Sequence, residues 1–75
     1  MSRLSDLTWI ATRDEPLPAG RPGEELWVKL GWASFKWAWH EEGVWAPPGW
    51  SPDAEIESAT PGTVRRDMSW ARPVD

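Results

Sequence analysis

His40-Glu41-Glu42 and, a short way on, Asp53, Glu55 and Glu57 are the residues of this 75-residue sequence whose types suit metal chemistry. One imidazole with several carboxylates can hold a hard divalent ion. Adjacent residues on a hairpin point to opposite faces, however, so consecutive members do not converge on one ion. The cluster reads as a solvated acidic edge, and neither a metal nor a cofactor is expected. Catalysis has less to work with. His40 is the single histidine, there is no cysteine, and no serine sits in a nucleophile-elbow pattern. The chain reads as non-enzymatic.

The aromatic residues carry more information. Eight Trp, one Phe and no Tyr make nearly all the aromatic mass indole. Phe35, Trp37 and Trp39 alternate along one stretch and so share one face of a strand, which reads first as a core row. On the same alternation Trp32 falls opposite Trp37. A small sheet cannot bury both faces, so one indole of that pair must be accessible. Trp45-Ala46-Pro47-Pro48-Gly49-Trp50 sets two indoles around a stiff turn. These rings can pack on the prolines between them, or they can line a groove for a proline-rich or extended peptide. With Glu41, Glu42 and Asp53 nearby, they also suit a cationic group over an indole face. Trp32, Trp45 and Trp50 are therefore the expected partner contacts, with Glu41 and Glu42 setting the charge preference.

Charge and composition narrow the partner. Eight Lys plus Arg against twelve Asp plus Glu give a net charge of -4. Residues 1–38 balance to zero, and every charged residue in 40–57 is acidic. Phosphate backbones need the opposite sign, so nucleic acid is a poor partner in spite of the stacking surface. Glycan binding needs polar groups for the hydroxyls, and Asn, Gln and Tyr are all absent. Those absences, with six Arg to two Lys, also suggest a GC-rich genome: a bacterium, or a phage or mobile element living in one. The start Met1-Ser2-Arg3-Leu4-Ser5-Asp6 lacks the pattern of a signal peptide, and no apolar run approaches the length of about 18 residues that a membrane span needs. A cytoplasmic address is expected.

The elements that must position these residues are short. A single domain is expected over 1–75, with tails at 1–5 and 72–75. Residues 7–12 alternate as a strand, and Asp14 to Glu24, with three Pro and two Gly, reads as a long loop of the kind that is often functional. Strands are expected over 25–31 and 34–40, in preference to one helix over 26–40, which would be apolar nearly all round. Gly43 supplies a left-handed residue before a further strand at 43–46. Residues 52–59 suit either a short helical turn started by Ser51 and Pro52 or a short strand, and 63–71 alternate as the last strand. The fold class is mainly β: an SH3-like barrel or a strongly bent antiparallel sheet of about five strands.

With one domain and no cysteine, a core of this size holds about three to five indoles, and the rest must lie nearer the surface, where aromatic patches mark interfaces. The functional expectation is a small protein-interaction module, in the manner of a phage or mobile-element accessory or inhibitor protein docking on a host macromolecule. Two alternatives stand beside it: a structural subunit that self-associates through its indoles, and a small-ligand or glycan binder with an aromatic pocket.

Overall fold

The computed structural model describes residues 7–73 and is built on one five-stranded antiparallel sheet. The strands are β1 (Ile10–Ala11), β2 (Glu25–Leu30), β3 (Ala33–His40), β4 (Val44–Ala46) and β5 (Met68–Ala71), in the spatial order β1-β5-β2-β3-β4. The last strand thus returns from beyond β4 to insert between β1 and β2. The sheet is open, with β1 and β4 at its edges, and is not closed into a barrel. The described residues contain no helix, and so none long and apolar enough to cross a membrane. Of the tails expected at 1–5 and 72–75, residues 1–5 and 74–75 lie outside the described residues, whereas Arg72 is held by an ion pair to Glu24 at 3.0 Å.

Alternation explains the central hairpin. Leu26, Val28 and Leu30 pair with Trp37, Phe35 and Ala33, so all six share one face, and Met68 and Trp70 of β5 join it opposite Leu30 and Val28. Directly opposed residues lie on the same side of a sheet, which makes this the core face. Gly31 and Trp32 form the two-residue turn. Gly31 has φ 62° and Trp32 does not have a positive φ, the signature of a type II′ turn with glycine at its first central position. Between β3 and β4 the three residues Glu41-Glu42-Gly43 turn the chain, with the Gly43 amide donating to the His40 carbonyl at 2.9 Å.

Two expected strands are shorter than their alternation suggests. Residues 63–67 turn instead of pairing. Thr12 Oγ1 accepts from the Arg65 amide at 2.8 Å and donates to the Arg65 carbonyl at 2.7 Å, so a side chain occupies the backbone groups a ladder would use. At β1 the Ala11 carbonyl accepts from the amides of Asp14 and Glu15, which bends the chain away after Ala11. Over 52–59 neither expected element forms. One turn closes between Ser51 and Ala54, and the chain then extends until Ala59 pairs with the outer edge of β4 at Trp45.

The Pro/Gly loop, expected to be functional, is the second layer of the fold. It lies over the core face: Leu17 is buried, the Trp45 indole donates to the Pro18 carbonyl at 2.7 Å, and the Trp70 indole donates to the Glu15 carbonyl at 2.9 Å. The Leu17 main chain pairs with Gly62 and Thr63, which ties the cover to the long β4–β5 connection. Prolines suit this path because Pro16 and Pro18 bring no N–H that must be satisfied in the interior. Gly20 packs so closely that an added Cβ would lie 2.7 Å from ring carbons of both Trp39 and Trp45. Its φ is not positive, so the constraint there is space alone. Gly20→Ala is expected to cost about 1–3 kcal/mol by overpacking, read as a lower urea midpoint at unchanged slope.

Candidate interaction surface

Three indoles form the core: Trp37, Trp45 and Trp70, exposed by 1%, 0% and 4%. Trp9, Trp27, Trp39 and Trp50 are half-buried, and Trp32 alone is 95% exposed. The expectation that one of Trp32 and Trp37 must face outward holds, although Trp32 does so as a turn residue and not from the second face of a strand. The II′ turn fixes its backbone between two paired strands, so a large apolar ring is held in solvent at the tip of a well-ordered hairpin.

Beside that tip the core face is incompletely covered. Leu30, Ala33, Phe35 and Trp37 from the hairpin, with Pro47, Ile56 and Glu57 from the β4–β5 connection, line a groove of about 280 Å³. Phe35 and Ile56 remain 43% and 51% exposed, and Ala33 follows Trp32 directly in the chain. The groove is apolar except for Glu57, and its Trp37 ring carries a feature the other core indoles lack. The Nε1 of Trp37 is buried without a hydrogen-bond partner, the one such side-chain nitrogen or oxygen among the described residues. Leaving a donor unsatisfied in this way costs about 1–3 kcal/mol.

Charge around the groove is partly spent. Glu57 accepts from Arg65 at 2.7 Å, and Arg65 also holds Asp67 through two contacts at 3.0 and 2.8 Å. Hydrogen bonding to Arg65 keeps the Asp67 carboxyl below its usual 3.8, and the same bonds raise the guanidinium. Asp53 and Glu55, exposed on the stretch that leads to Ile56, have no ion-pair partner among the described residues.

The five residues expected to meet a partner do not form one surface. Trp45 is corrected outright: it is fully buried, hydrogen-bonded to Pro18 and packed edge-on against Trp39 with ring centroids 5.2 Å apart, so it offers nothing to a partner. Trp50 is half-buried and set edge-on to His40, also at 5.2 Å, with its amide donating to the Pro47 carbonyl. Glu41 and Glu42 are exposed but occupy the β3–β4 turn. Strand β3, which separates that turn from Trp32, itself spans roughly 23 Å at the usual rise per residue. Trp32 therefore belongs with Phe35 and Ile56 at one end of β3, whereas Trp50, Glu41 and Glu42 lie at the other.

Sequence reading missed the groove. Phe35 was absorbed into the core row, although its place near the turn leaves it at the margin of the cover. Ile56 had a signal of its own, as a lone large apolar residue between Glu55 and Glu57. The unpartnered Trp37 N–H depends on what surrounds the ring and has no sequence signature.

The other face of the sheet is satisfied locally. Lys29 lies over the Trp9 ring at 4.6 Å, Lys36 lies over Trp27 at 5.7 Å, and Lys36 pairs with Glu25 at 3.5 Å. No group of His, Cys, Asp or Glu among the described residues has the arrangement to hold a metal ion. Comparison with protein-family models, with curated proteins and with solved structures found no match, so the surface is read from its own chemistry.

Proposed function

We propose that this protein is a non-enzymatic interaction module that docks on another protein through Trp32 and the groove beside it. The observation that carries the reading is the 95% exposure of Trp32 on the II′ turn, whose flanking residues Leu30 and Ala33 line the groove with the exposed Phe35 and Ile56. Tryptophan is enriched among the residues that dominate binding energy, and such residues act best when held in place before binding. The GC-rich composition supports a setting in a bacterium or its mobile elements, as an accessory or inhibitor protein working in the cytoplasm on a host macromolecule. An SH3-like arrangement belongs to the same reading: the long loop after β1 and the short turns between β2, β3 and β4 support it. The acidic residues contribute through Asp53 and Glu55 beside the groove, in place of Glu41 and Glu42.

The test is a quantitative affinity capture from host lysate with wild-type and Trp32→Ala baits. Proteins retained by the wild type and lost by the variant support the module. Identical recovery on both baits overturns it. Sedimentation of the purified chain at micromolar concentration covers the competing reading, since a stable homo-oligomer lost in Trp32→Ala would mean that the surface is used for self-association.

A further inference from the structure

We infer that the groove takes an extended, proline-containing segment of the partner, and that the Trp37 indole N–H donates to a main-chain carbonyl of that segment. This rests on the interaction-module reading and names the class of ligand the groove selects. Three observations carry it. First, the groove has about 280 Å³ of space, lined by Leu30, Phe35, Trp37, Pro47 and Ile56. That is at the lower edge of what a drug-sized molecule or cofactor occupies and suits a few side chains. Second, its one charged side chain, Glu57, is already paired with Arg65, and the Trp37 ring that lines it carries an N–H buried without a partner. A sugar needs several groups for its hydroxyls and is poorly served here, whereas a peptide needs a single donor for a carbonyl.

The third observation is the donor itself. A helical ligand keeps its carbonyls in its own hydrogen bonds, and a polyproline II segment leaves every carbonyl free. A site whose one available polar contact is a donor therefore favours the extended form. Prolines add rings that pack on Phe35, Ile56 and Trp32 and lose little chain entropy on binding. Phe35 and Ile56 line the same groove as Trp37 and are exposed, so a ligand that reaches the ring displaces them and not the covered core. The flanking residues of the ligand are basic. Every charged residue in 40–57 is acidic, and Asp53 and Glu55 beside the groove have no ion-pair partner among the described residues.

The probe is an acetylated, amidated peptide of five prolines between two arginines, titrated into ¹⁵N-labelled protein and followed through the indole N–H signals. An alanine- and leucine-rich helical peptide with the same two arginines is run beside it. The expected result is a saturable downfield movement of the Trp37 signal with the proline peptide, little change with the helical one, and affinity weakened about tenfold by Ile56→Asp. Ile56 is half exposed, so that variant keeps the fold, which its unchanged indole spectrum verifies. A Trp37 signal that stays still, or that moves equally with the helical peptide, overturns the inference. If Trp32-dependent capture from lysate persists alongside a silent Trp37, only the class of ligand is wrong. If that capture is absent as well, the module reading falls with it.

Discussion

Replacing Trp45 with alanine is expected to remove a large share of the stability of the fold. The ring is fully buried, packs edge-on against Trp39 and fixes the Pro/Gly cover through its bond to the Pro18 carbonyl. The same residue pairs through its backbone with Trp39 of β3 on one side and with Ala59 on the other. Truncating a buried Trp to Ala costs about 3–5 kcal/mol. A domain of this length is stable by roughly 4–11 kcal/mol in total, so the loss approaches the lower end of that range. Thermal unfolding followed by near-ultraviolet circular dichroism is expected to show a midpoint lower by at least about 12 °C. A shift below about 4 °C would mean that the ring does not hold the two layers together.

Trp32→Ala is expected to do the opposite. The side chain is almost wholly in solvent and closes no cavity, so its loss should change stability by less than about 0.5 kcal/mol. Binding to the captured partner should weaken by about 30-fold or more, the effect of removing an interface residue worth about 2 kcal/mol. Titration calorimetry against that partner reads this directly. An affinity within about threefold of wild type would reduce Trp32 to an incidental surface residue. The two substitutions remove the same side chain and separate its two uses: one indole builds the fold, and the other is free to meet something outside it.

Local pattern made the central hairpin legible. Alternation through Leu26, Val28, Phe35, Trp37 and Trp39, broken at Gly31, located β2 and β3 to within one residue at each end, and Gly43 marked the next turn. What could not be read was long-range. Residues 63–67 alternate like a strand, but Thr12, distant in sequence, captures the Arg65 backbone. The Pro/Gly stretch reads locally as no more than a long loop because its anchors are the indole N–H groups of Trp45 and Trp70, and a carbonyl's distant donor leaves no trace in local composition.

The site was legible in part. Trp32 stood out because the alternating row leaves it without a buried position. Trp45 did not, because its burial depends on register: it lies opposite Trp39, a pairing set by the three-residue turn at Glu41-Glu42-Gly43. The distance of Glu41 and Glu42 from Trp32 could have been read from the length of the intervening strand. The groove could not, since it forms where the cover from one distant segment stops short of another.

Hydroxyl-radical footprinting of the free chain and of its complex with the captured partner, read residue by residue by mass spectrometry, tests the location of the interface most directly. In the free protein Trp32 should be heavily oxidised, Phe35 and Ile56 moderately, and Trp37, Trp45 and Trp70 scarcely at all. Complex formation should protect Trp32, Phe35 and Ile56 together and leave Trp27 on the other sheet face unchanged. Protection centred on Trp27 or Trp50, with Trp32 still oxidised at its free rate, would contradict the assignment of the interface to the hairpin tip and its groove.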